Sequence, residues 1–129
     1  VLVEATIAGP DEALCVTGSV PAAAVARHLG VPVWLVAGVG YRVPQALYDV
    51  AIARWQAEPD GRVEPEPADV GRDPTEPRLR NEERLDVALV DRVACEAGLL
   101  AAPPIPTTPN FPRVPELEHL GVVLAERDL

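Results

Sequence analysis

Apolar positions fall into short runs separated by turn residues, and their period changes along the chain. Residues 1–9 ("VLVEATIAG") open on a continuous apolar run, the pattern of a strand covered on both faces. Residues 9–13 ("GPDEA") predict a turn, with Pro10 and Asp11 in turn-compatible positions. A second short strand, "ALCVTGS", ends at Gly18. Ser19 then suits a helix N-cap, and Pro21 is tolerated in the first helical turn. Ala22, Val25, Ala26 and Leu29 recur at i, i+3, i+4 and i+7, one helical face, and Gly30 is a natural stop. Residues 31–38 ("VPVWLVAG") are the strongest strand pattern, with Trp34 predicted in the core and Pro32 at the start, where a missing N–H costs least. A second helix is predicted from about 44 to 55, with Tyr48, Ala51, Ile52 and Trp55 on one face.

The pattern breaks at residues 58–78, which hold 5 prolines and 7 acidic residues and almost no large apolar side chains. Such a segment buries too little surface to offset its ordering entropy, so it reads as a flexible acidic, Pro-rich insertion. Apolar content returns at 83–100, where "LDVALVD" fits a strand or the start of a short helix, the strand being favoured. A Pro-rich crossing follows, with 6 prolines from 103 to 115. Residues 115–121 predict one or two helical turns, with Pro115 early, and 121–129 a last strand. Hydrophobic strands alternating with helices argue for one α/β domain over residues 1–129, with a mostly parallel sheet and right-handed crossovers.

Composition narrows the function classes. Of the 129 residues 48% are hydrophobic but only 4% aromatic, so the core is aliphatic. A net charge of −9 repels phosphate backbones and disfavours direct nucleic-acid binding. No apolar run approaches the ~20 residues of a membrane span, and no basic-then-apolar leader is present. Cys15 and Cys95 lack metal or disulfide spacing and read as small buried hydrophobes in a reducing cytoplasm. The chain opens on Val1 within a strand pattern and contains no Met, which reads as the C-terminal piece of a longer protein.

Candidate chemistry centres on two glycine turns. Gly38-Val39-Gly40 follows a strand and precedes a helix, as in dinucleotide sites. The third glycine of that fingerprint is replaced by Val43, and no acidic residue follows on an ordered strand ~20 residues on. The chain has no Lys, so a phosphate-binding Gly-Lys-Ser/Thr loop is excluded as well. Gly18 and Ser19 close a strand and open a helix, where free N–H groups and the positive dipole end suit a phosphate; the alternative is an ordinary serine-capped turn. Arg42 falls at the expected carboxyl edge of the sheet, facing a phosphate or carboxylate, or else solvent. His28 and His119 have no partners at metal spacing and read as surface residues. Arg84 is predicted to pair with Glu82 or Glu83.

Residues 1–43, in the order strand, turn, strand ending in Gly-Ser, alanine-rich helix and "GVPVWLV", resemble a known family. It unites the alpha, beta and delta subunits of translation initiation factor 2B with methylthioribose-1-phosphate isomerase and ribose-1,5-bisphosphate isomerase. "NEERLDV" (81–87) is similar to its Glu-Glu-Arg segment, and "IPTTPNFPRVPEL" (105–117) loosely echoes a later stretch. The resemblance implies the family's C-terminal domain, an α/β, Rossmann-like three-layer domain with mostly parallel sheet. The isomerases convert an aldose to a ketose with a cysteine and an aspartate. The cysteine lies upstream of the matching region. The aspartate position falls at Ala5 or Thr6, neither of which is an acid or base at neutral pH. The family's Asn-Lys pair falls at Cys15 and Val16. The resemblance therefore implies a non-catalytic, dimerising factor 2B-like protein, cytoplasmic and without cofactor or metal. It would pair with a copy or family member and bind a sugar phosphate or nucleotide through Gly18, Ser19 and Arg42. The alternative is an aldose-ketose isomerase acting on a sugar 1-phosphate.

Overall fold

The link between the first two strand patterns is three residues long, and this decides the topology. In the computed structural model, which describes residues 1–57, 81–112 and 115–116, β1 (Leu2–Ala8) and β2 (Glu12–Val16) form an antiparallel hairpin. A parallel return needs a crossover of about a dozen residues, so Gly9–Asp11 permits only the hairpin. Helix α1 (Ser19–His28) then leads to β3 (Trp34–Val36), which lies parallel to β1. Helix α2 (Gln45–Ala57) follows. Strand β4 (Glu82–Asp86) pairs antiparallel with β2, β5 (Arg92–Cys95) parallel with β3, and β6 (Gly98–Ala101) antiparallel with β5. The six strands make one sheet in the order β4-β2-β1-β3-β5-β6.

Three of these five pairings are antiparallel, and the described residues contain two α-helices. The expected Rossmann-like three-layer domain with a mostly parallel sheet is thereby corrected to a strand-rich mixed sheet. The two short links, Gly9–Asp11 and the Glu96–Ala97 turn before Gly98, account for two of the antiparallel contacts.

Side chains alternate between two cores. Val3, Ala5, Ala13, Cys15, Leu35 and Val93 pack with Ala23 and Ala26 of α1. Leu14, on the opposite face of β2, packs with Val43 and with Tyr48 and Ile52 of α2. A bulge between Ala5 and Ile7 turns Ile7 toward this second core.

Local signals were displaced by small steps. Gly18, left-handed at φ 100°, takes the N-cap position, and Ser19 is the first helical residue. The buried stripe of α1 is Ala23 and Ala26, while Val25 and Leu29 of the predicted face are exposed. Gly30 ends α1 in a Schellman arrangement: Val31 N donates to Ala26 O (2.8 Å) and Gly30 N to Arg27 O (3.2 Å). The "LDVALVD" strand stops at Asp86, whose carboxylate accepts from Ala88 N and turns the chain into a short 3-10 segment, Val87–Leu89. The insertion at 58–78 and the strand at 121–129 lie outside the described residues, as does most of the helical segment at 115–121. No described helix is long and apolar enough to cross a membrane.

Candidate functional site

The helix start expected to hold a phosphate already holds a carboxylate. Residue Cys15 of β2 pairs with Glu83 of β4, which brings the Glu83 side chain to the N-terminus of α1. There Gly18 N and Val20 N both donate to Glu83 Oε1, at 2.9 and 2.8 Å. Ser19 Oγ donates to Val16 O at 2.6 Å. Glu83 thus takes up two N–H groups at this helix start and sets a negative charge at the positive end of the dipole from within the chain.

Arg42 is inside the protein, 1% exposed, rather than solvated. After the Gly38–Gly40 turn (Gly40 φ 80°) the chain runs back along the end of β1, with Ala8 N donating to Tyr41 O and Val43 N to Ala8 O, both at 2.8 Å. This bridge points Arg42 inward. Its Nη2 meets Glu96 Oε1 at 2.6 Å, and its Nη1 donates to Pro106 O at 2.9 Å. Its Nε is buried without a partner among the described residues. The Arg42 carbonyl accepts from Thr108 N at 3.0 Å, so both the backbone and side chain of Arg42 hold the segment at 105–108.

The mixed sheet separates the three predicted ligand residues. Arg42 lies by Ala8, where β1, β3 and β5 end. Gly18 and Ser19 follow β2, which runs the other way and finishes near the start of β1. At ~3.3 Å per strand residue the two places are roughly 20 Å apart along the sheet. They form no single pocket.

A polar cluster unseen in the sequence sits under α2. Tyr48 Oη donates to Glu12 Oε1 at 2.9 Å, and Arg84 reaches the same oxygen with Nε at 2.7 Å and Nη2 at 2.6 Å. Arg84 therefore pairs with Glu12, not with Glu82 or Glu83. Register explains this: Leu14 opposes Arg84, and Glu12 is the same-face neighbour of Leu14. The partners are 72 residues apart, and no local spacing signals them. The cluster borders a cleft of about 470 Å³ with Asp11, Gln45 and Asp49. Burial, then the bond to Glu12, raises the Tyr48 pKa far above the ordinary phenol value, so Tyr48 is a fixed donor and not a base. The Cys15 thiol is pushed up to about 12 by burial and then by Glu83 and Glu82, which removes it as a nucleophile. His28 is exposed, and no group of three metal-ligating side chains occurs among the described residues.

Beside α2, the described residues leave part of one sheet face uncovered, over β1, β3, β5 and β6. Opposite the α1 core, Leu2, Trp34, Arg92 and Ala101 form one cross-strand row, and Glu4, Val36, Ala94 and Leu99 the next. Leu2 (69%), Leu99 (43%), Trp34 (38%) and Val36 (37%) remain exposed, so Trp34 is not the core residue predicted. Glu4 and Arg92 flank this apolar patch without ion-pair partners among the described residues. Compared with models of known protein families and with curated protein sequences, the chain matches none.

Proposed function

We propose that this chain is a non-catalytic dimerising module, acting as the factor 2B subunits it resembles do, and not as an isomerase. The observation that carries this reading is the uncovered patch of Leu2, Trp34, Val36 and Leu99. Exposed apolar side chains clustered on one sheet face favour protein contact. Glu4 and Arg92 make the face self-complementary: a two-fold pairing that sets Glu4 on the partner's Arg92 repeats the contact symmetrically. The occupant is accordingly a second copy of the chain. The residues at the resembled family's aspartate position support the same reading, since Ala5 and Thr6 carry no group that titrates near neutral pH. The sugar phosphate or nucleotide implied by the resemblance is then a regulator rather than a substrate.

Sedimentation equilibrium tests the assembly. The wild type sediments as a dimer, and Trp34→Glu and Leu99→Glu as monomers with unchanged far-ultraviolet circular dichroism. A monomeric wild type, or variants that stay dimeric, overturns the assignment of this face. Turnover of methylthioribose 1-phosphate or ribose 1,5-bisphosphate overturns the non-catalytic reading.

A further inference from the structure

We propose that the Arg42 guanidinium is a receptor for a small oxyanion, a phosphate group or a carboxylate, and that Glu96 holds the place until the anion arrives. The side edge of a guanidinium presents Nε–H and Nη2–H in parallel, the fork that grips two oxygens of one anion. At Arg42 that fork is half used. Glu96 takes Nη2 at 2.6 Å, while Nε, in the same 1%-exposed side chain, has no partner among the described residues. Pro106 O occupies Nη1 on the other edge and fixes the guanidinium plane. A buried donor left unpaired is costly, so an anion that engages both Nε and Nη2 satisfies the cation better than Glu96 does.

Glu96 is built to yield. Its carboxylate is 39% exposed and sits in the two-residue turn between β5 and β6, ahead of Gly98 at φ 100°. It can rotate into water without dismantling a core. The place suits a ligand, because Arg42 lies where parallel strands β1, β3 and β5 end. Gly40 N and Thr108 Oγ1, joined by a long 3.4 Å bond, are further polar groups on the segments that Arg42 ties together. This inference goes beyond the assembly reading and rests on different residues, so a monomeric wild type leaves it unaffected.

Thermal melts of the full chain at constant ionic strength test it, with inorganic phosphate and with acetate as separate probes. Glu96→Gln removes the resident carboxylate. It melts lower than wild type in phosphate-free buffer, and added anion raises its Tm by several degrees more than it raises the wild type's. The probe with the larger effect identifies the anion class. Arg42→Gln, where it folds, loses the anion response. Equal anion shifts in wild type and Glu96→Gln overturn the proposal, as does a full response in Arg42→Gln. Because Glu96 is exposed, the Glu96→Gln comparison decides the matter even where Arg42→Gln does not fold.

Discussion

A methyl group on Gly9 would sit 2.7 Å from Tyr48 Cγ and 3.0 Å from its Cβ. The ring cannot retreat, because Tyr48 is buried against Leu14 and Ile52 and its hydroxyl is bonded to Glu12. Gly9→Ala therefore overpacks the second core, and its urea midpoint falls by the equivalent of about 1–3 kcal/mol. Cys15 supplies a pH test. Its folded pKa, about 12, lies above the ordinary 9.0, so the folded state keeps a proton that the unfolded state releases. The associated stability is complete below about pH 9 and is lost toward pH 12, at up to about 1.4 kcal/mol per pH unit. In urea melts, wild-type stability should fall more steeply with pH across that alkaline window than that of Cys15→Ala, and Cys15 should resist iodoacetamide at pH 8 until denaturant is added. Burial of Cys15 was legible from its apolar neighbours. Arg42 was legible only as an arginine near a strand end, since the bridge to Ala8 that buries it is a long-range pairing.

At the scale of elements, the start of α1 depends on a side chain from β4. Glu83 accepts both Gly18 N and Val20 N, whereas the Ser19 hydroxyl turns back to Val16 O. Glu83→Ala leaves two N–H groups unpaired and should cost about 1–2 kcal/mol, while Ser19→Ala costs less. Denaturant titrations of the two variants check the order; a larger loss in Ser19→Ala contradicts this account of the cap. The strand and helix cores of 1–57 were readable because apolar period and turn residues act locally. The stop at Asp86 and the exposure of Trp34 were not. One comes from an aspartate capturing Ala88 N, and the other from which part of the sheet each helix covers.

For the whole molecule, strand direction mattered more than strand position. The short turn at Gly9–Asp11 was visible in the sequence, yet an α/β alternation suggested parallel neighbours. Reversing β2 moved Gly18 and Ser19 away from Arg42 and dissolved a ligand site that each residue separately suggested. The same hairpin sets an order of events in folding. Ala8 and Ala13 meet across five residues, whereas Leu2 and Trp34 must close a loop of more than thirty. Local contacts form before long loops close, so the β1–β2 hairpin belongs in the folding transition state and the β3–β5 ladder condenses after it. Leu14→Ala should therefore slow refolding, and Val93→Ala should mainly accelerate unfolding, in stopped-flow chevrons. The reverse assignment would mean that the chain finds its parallel pairings first, despite the greater loop entropy they cost.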